Sequence, residues 1–217
     1  MKRRTLLGWL PRAVLASWVL AEGSFTTRPI LALGGESPPV GAAAPTFGLR
    51  GVAPAPGGQG EPIEIDFNLV DLAGRWVVLY FYPKDFTSGC TLEARGFQRD
   101  LPSYARLQAD VVGISTDSPQ THGSFCGAEG LAYPLLSDPD GSVCRLYGSW
   151  LAPSALRHTF LIDPRGVIRA RWLAVRPSGH SQEVLASLES LLDQEVLAEG
   201  KPEDRIALSG TAERGIR

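Results

Sequence analysis

The chain has 217 residues, 44% of them hydrophobic, and a formal net charge of −2. That is apolar content for one core of ordinary size and length for one domain with extensions. The near-neutral balance, with no long basic run beyond the first residues, gives no electrostatic case for binding nucleic acid.

Met1-Lys2-Arg3-Arg4 followed by an apolar stretch from Leu6 to Leu20 reads as an export signal, and Arg3-Arg4-Thr5-Leu6-Leu7 fits the twin-arginine pattern. Pro11 and Arg12 interrupt the stretch and leave it short for a bilayer span, so cleavage after Ala21 or Gly34 is expected and no stable membrane span remains. Residues 1–34 are therefore assigned to export, to a periplasm or a thylakoid lumen, both of which tolerate disulfides. A Gly/Pro/Ala-rich lead-in covers 35–60, with one short strand near 47–52. The folded domain is expected over 61–198, and a polar tail over 199–217.

Within the domain, 63–69 alternates apolar and polar residues as a half-buried strand does, while 77–82 (VVLYFY) is a continuous apolar run ended by Pro83. The turn Asp71-Leu72-Ala73-Gly74 is expected to join them as an opening hairpin. A helix from Cys90 or Thr91 to Leu107, a strand at 111–115, a helix over 119–129 with proline in its first turn, a strand at 134–136 and a brief helix at 142–147 follow. Strands at 159–162 and 167–173 flank Asp163-Pro164-Arg165-Gly166, whose Pro and Gly fit a tight turn, and should pair antiparallel. Val184, Leu185, Leu188, Leu191 and Leu192 recur at helical spacing in a last helix over 180–197. Strands interleaved with helices predict an α/β protein with a mixed central sheet flanked by helices.

Three cysteines, Cys90, Cys126 and Cys144, are too few and too dispersed for a disulfide framework, and none forms a Cys-x-x-Cys pair. His122, four residues before Cys126, is half of a possible metal site with no second half in view, so no metal is expected. Cys90 stands apart because it falls between a buried strand and the mouth of a helix. Unpaired backbone N–H groups and the positive end of the helix dipole there favour the thiolate, which is the nucleophilic form. Thr87, three residues earlier, can bring a hydroxyl to whatever the sulfur attacks, and Pro83 can wall off water. The plain alternative is an inert core thiol.

Pro-x-x-x-Thr-x-x-Cys, from Pro83 to Cys90, is similar to the active-site signature of the peroxiredoxins. The wider string YFYPKDFTSGCTLEARGF resembles the peroxiredoxin Q, or bacterioferritin comigratory protein, branch, and the likeness continues through VVGISTDSPQTHGSF, PLLSDPDGSVCRLYG and RHTFLIDPRGVI, roughly residues 40 to 195. The resemblance implies a thioredoxin-like fold and attack of Cys90 on hydrogen peroxide or an organic hydroperoxide, leaving a sulfenic acid. Donors to the departing oxygen would be the backbone N–H groups of Gly89 and Cys90 and the Thr87 hydroxyl. It places the active-site arginine at Arg157; Arg95 and Arg99, one and two turns into the Cys90 helix, are weaker alternatives expected to face solvent. A glutamate stands in the family at the position of Glu93, on the threonine side, although the helix dipole favours a carboxylate there in any case.

His122 matches a family histidine and is expected at the surface or in packing, and Trp76, Trp150 and Trp172 in the core or at its rim. Many members carry a second cysteine one helical turn after the first, where this chain has Arg95. Cys126 resembles the resolving cysteine of a subgroup that keeps it in the following helix, and Cys144 is read as structural. Ser88 replaces a proline common before Gly-Cys. A Cys90–Cys126 disulfide needs Cα atoms within about 7 Å, so the two helices would have to fray or shift. Thioredoxin or a similar donor would then reduce it. No cofactor is implied, and the branch points to a monomer. Two alternatives stay open: a one-cysteine peroxidase using an external thiol, and a redox-regulated chaperone or interaction module on the same fold.

Overall fold

The apolar run that dominates the sequence becomes the middle of the molecule because it is buried on both faces. Val78, Tyr80 and Tyr82 contribute to one core, and Val77, Leu79 and Phe81 to the other, as the period of two requires. The computed structural model describes residues 34–58 and 60–199. The expected export signal up to residue 33 and the tail from residue 200 lie outside the described residues.

In chain order the elements are β1 (Gly48–Ala53), β2 (Ile63–Asn68), β3 (Trp76–Phe81), α1 (Ser88–Arg106), β4 (Ala109–Ser115), α2 (Pro119–Glu129), β5 (Leu135–Ser137), α3 (Ser142–Leu146), β6 (Trp150–Leu151), β7 (Ser154–Ala155), β8 (His158–Ile162), β9 (Ile168–Trp172) and α4 (His180–Glu199). Seven strands form one sheet in the order β2-β1-β5-β4-β3-β8-β9, with β6 and β7 as a separate small pair. β3 runs parallel to β4 and antiparallel to β8, so the sheet is mixed. Packing is tight where α1 returns to the sheet: Gly113 of β4 lies opposite Tyr80, and a Cβ there would come within 2.8 Å of the tyrosine ring.

One face of the sheet is covered by α1, α2 and α4, whose Ala94, Phe97, Tyr104, Phe125, Val184 and Leu188 pack with Tyr80 and Tyr82. The opposite face holds α3, with Val143, Cys144, Tyr147 and Phe160 against Leu79 and Phe81. Each large side chain so buried contributes about 1.5–3 kcal/mol of transfer free energy. α2 begins where its residues dictate: Pro119 fixes the first turn, and the Ser118 hydroxyl caps it by accepting from Thr121 N at 3.2 Å. Gly130 ends it in the left-handed conformation, with φ of 62°.

The antiparallel pair β8–β9 forms as its turn sequence requires. The opening hairpin is different from the expected one, since β2 pairs with β1 and not with β3. The reason is burial. β3 is inaccessible along its whole length and gives both edges to β4 and β8, whereas the half-exposed β2 belongs at the border of the sheet.

Candidate active site

The chain leaves β3 at Phe81, turns through Pro83-Lys84-Asp85-Phe86, and enters α1 with Thr87 in the N-cap position. The first i→i−4 bond runs from Thr91 N to Thr87 O at 2.9 Å. The amides of Gly89 and Cys90 precede it and have no acceptor within the helix. Cys90 is the third residue of α1 and is 1% exposed. Its sulfur sits at the helix start, under the positive end of the dipole.

Arg157 closes the site from the opposite side, one residue before β8. Its Nη2 donates to Cys90 Sγ at 3.2 Å, while Nη1 donates to a carboxylate oxygen of Glu93. Both nitrogens of one guanidinium edge are thus used, the geometry for which arginine is suited and lysine is not. Glu93, one turn beyond Cys90, is wholly buried. Desolvation pushes its carboxyl up to about 7, although the adjacent Arg157 charge pulls the other way. Its other oxygen, Oε1, has no hydrogen-bond partner among the described residues. Gly89 faces the same space: a Cβ there would lie 3.3 Å from Arg157 Nη2 and 3.6 Å from Pro177.

Of the expected site residues, Cys90, Gly89 and Arg157 are therefore brought together. Thr87 is exposed beside them, and Pro83 is half-buried. The threonine hydroxyl differs from expectation because it donates to Lys84 O at 3.0 Å. Its single hydrogen is engaged, so toward a ligand the oxygen acts as an acceptor. Glu93 also differs, reaching the arginine and not the threonine. Arg95 and Arg99 are solvent-facing, 65% and 57% exposed, and pair with Glu129 and Asp100.

Cys126 lies in α2, buried in the same core as Cys90; Cys144 lies in the core on the other side of the sheet. All three thiols are free. Burial, helped by the nearby Asp85 charge, pushes the Cys126 thiol up to about 12. Cys144 is pushed up further still by burial and Asp138. Neither is a nucleophile where it stands.

Of the two places expected for His122, the surface or packing, the structure takes the second. The ring is inaccessible, with Nδ1 at 2.7 Å from Asp85 Oδ2 and Nε2 at 3.2 Å from Leu136 O. Asp85 itself, which no motif singles out, is 3% exposed. A buried acid three residues after Tyr82 carries a signal in hindsight, since such a group needs a partner that the loop alone does not supply.

Residues 40–171 match the AhpC/TSA family. The putative peroxiredoxin bcp of Coxiella burnetii is 41% identical over 157 residues, 69% of this chain and 97% of that protein. Peroxiredoxin Bcp of Xanthomonas campestris is 40% identical over 127 residues, 54% and 79% of the two lengths. Among solved structures, a cysteine-to-serine mutant of Xylella fastidiosa PrxQ superposes with a TM-score of 0.63 at 32% identity, covering 73% of this chain and 99% of that one. Xanthomonas campestris bacterioferritin comigratory protein, studied for alkyl peroxide reduction, gives 0.58 at 33% identity and covers 67% and 91%.

Proposed function

As a member of the AhpC/TSA family the chain is a peroxiredoxin, a thiol peroxidase that consumes a hydroperoxide and a thiol reductant, and from that premise we propose that Cys90 is its peroxidatic cysteine and Cys126 its resolving one. The observation that carries the first assignment is the permanent cation of Arg157 at 3.2 Å from a sulfur at the start of α1. A guanidinium donates more strongly to an anionic acceptor than to a neutral one, and a charge-assisted bond of this kind is roughly twice as strong.

The thiolate attacks the terminal oxygen of the hydroperoxide along the O–O axis. An S–O bond forms and the O–O bond breaks. Its electron pair leaves with the far oxygen, which takes a proton to become water or an alcohol, and sulfur is oxidised by two electrons to the sulfenic acid. The Gly89 and Cys90 amides and the Arg157 guanidinium lie where the charge on oxygen develops. Thr87 Oγ1 can accept from the O–H that is attacked.

Resolution follows when the Cys126 sulfur displaces hydroxide from the sulfenic acid: an S–S bond forms, the S–O bond breaks, and the thiol proton leaves in the water. What supports Cys126 over Cys144 is its place in the Cys90 core, on the same side of the sheet. Burial raises its thiol to about 12 where it stands, a cost that opening of α2 relieves. Thioredoxin or a similar dithiol then reduces the disulfide by exchange.

The purified protein should consume hydrogen peroxide in the presence of dithiothreitol and thioredoxin, and Cys90→Ser should abolish consumption; undiminished turnover by that variant would sink the assignment. Peptide mapping after one equivalent of peroxide should yield a Cys90–Cys126 link. A Cys90–Cys144 link, or sulfenic acid alone, would reject the resolving step.

A further inference from the structure

The loop that presents Cys90 is fastened to the helix that carries Cys126 by buried polar contacts for which the chemistry above has no use. Asp85 Oδ1 accepts from the Tyr82 hydroxyl at 2.7 Å, and Oδ2 lies 2.7 Å from His122 Nδ1. The Asp85 N–H donates to Asp117 Oδ2 at 2.9 Å, and that carboxylate, in the turn before α2, is held by the Ser115 hydroxyl at 2.8 Å. His122 Nε2 faces a second acceptor, Leu136 O. A neutral imidazole has one N–H, yet both ring nitrogens here point at oxygen acceptors. The Tyr82 hydroxyl also lies 3.4 Å from Nδ1, so Asp85, His122 and Tyr82 form one buried polar cluster in which Asp85 and His122 are the closest pair.

The next loop residue reinforces it. Phe86 has φ of 59°, a left-handed conformation that a bulky residue adopts only when its surroundings impose it. Its ring, 55% exposed, packs edge-on against Phe125 with centroids 5.1 Å apart. Asp85 and Phe86 thus grip His122 and Phe125, neighbours three apart on one face of α2, and Cys126 follows directly.

We propose that Asp85 and His122 are positioning residues that act through the Thr87–Cys90 segment: their bond, while closed, holds the loop in the geometry for attack on peroxide, and it must part before α2 can deliver Cys126. One contact then sets the balance between the two half-reactions. The proposal rests on Cys126 being the resolving thiol, and its test separates the two.

Sulfenic acid formation is first followed by stopped flow in a Cys126→Ser background, where resolution is absent. His122→Leu, which removes the tie with an apolar side chain, should slow this step by about tenfold, well inside the loss that a ~1 Å misplacement brings. Asp85→Asn, which keeps the shape of the side chain and an oxygen for the Tyr82 hydroxyl but replaces the carboxylate with a neutral amide, should slow it by about fivefold. With Cys126 restored, the same substitutions should speed disulfide closure by similar factors, and less sulfinic acid should accumulate at high peroxide. His122→Asn, whose amide can still donate to Asp85, should recover both rates to within about threefold.

A contact that merely supported the fold would depress both steps together. That result, or a change under about twofold in both steps for Asp85→Asn, overturns the proposal; Asp85→Asn decides it even where His122→Leu does not fold. If mapping finds no Cys90–Cys126 link, the resolving assignment fails, while the first-step rates in the serine background still decide the positioning role.

Discussion

Arg157 spends two donors on two different acceptors, the Cys90 sulfur and the Glu93 carboxylate. A lysine keeps the charge but offers a compact ammonium that cannot span both in a fixed fork. Removing the arginine altogether would strand a buried carboxylate, at roughly 3–5 kcal/mol in stability, and would confound any reading of rate. Arg157→Lys is therefore the informative change. We expect it to lower kcat/KM for hydrogen peroxide by about two orders of magnitude, the scale seen when one pre-set donor to a developing oxyanion is lost. Stopped-flow oxidation of Cys90 is the measurement, and a value within about threefold of the parent would show that the guanidinium contributes charge alone.

Among the elements, α2 is weakly built for a helix. It has eleven residues and carries Gly123 and Gly127 in its interior, where a Cβ would meet nothing within 4 Å. Neither glycine is required by space, and each weakens a helix by about 0.8–1 kcal/mol relative to alanine. On the resolving role proposed for Cys126, α2 has to open, and that weakness makes melting a smaller excursion. The double substitution Gly123→Ala with Gly127→Ala should stabilise closed α2 by about 2 kcal/mol and so slow disulfide closure by roughly thirtyfold. Attack on peroxide should be unaffected and sulfinic acid should build up at high peroxide. Unchanged closure kinetics would mean that α2 does not melt during resolution.

The same helix shows what the sequence makes legible. Pro119, the Ser118 cap and Gly130 mark its ends, so its span can be read from local chemistry, as β3 can from its unbroken apolar run. The signature around Cys90 is legible for the same reason, being a strand end and a helix start in contiguous residues. Partnerships across the fold are not legible. The alternating pattern of β2 records that one face is buried but is silent on which strand lies beside it, and β1 rather than β3 takes that place. The Asp85–His122 bond joins residues 37 positions apart, and each alone resembles an ordinary loop or helix side chain. Glu93 likewise needs β8 in place before its partner can be named.

For the whole molecule, the groups around the site leave a mark on stability as a function of pH. Glu93 has its carboxyl moved from 4.5 to about 7 by burial, with Arg157 offsetting part of the effect. The folded state therefore binds this proton more tightly than the unfolded chain. The resulting stability is fully present below the unfolded value and is lost as pH rises to about 7. His158, next to Arg157 and 2% exposed, is moved the other way, from 6.5 to about 4, by burial and then by the Arg171 charge. Its contribution is present above the unfolded value and is lost as pH falls toward about 4.

Each term amounts to about 3 kcal/mol across its window, taking 1.36 kcal/mol per pH unit. The slopes oppose one another where the windows overlap, so the wild-type profile should look nearly flat through mildly acid pH and conceal both. Substitution exposes them. In urea unfolding, Glu93→Gln should gain on the parent steadily as pH rises from about 5 to about 7 and hold a constant difference above that. His158→Gln should gain instead as pH falls from about 6.5 toward about 4. A Glu93→Gln difference that stays constant with pH would mean that this carboxylate is ionised in the folded protein throughout, and that the Arg157 pair fully compensates its burial.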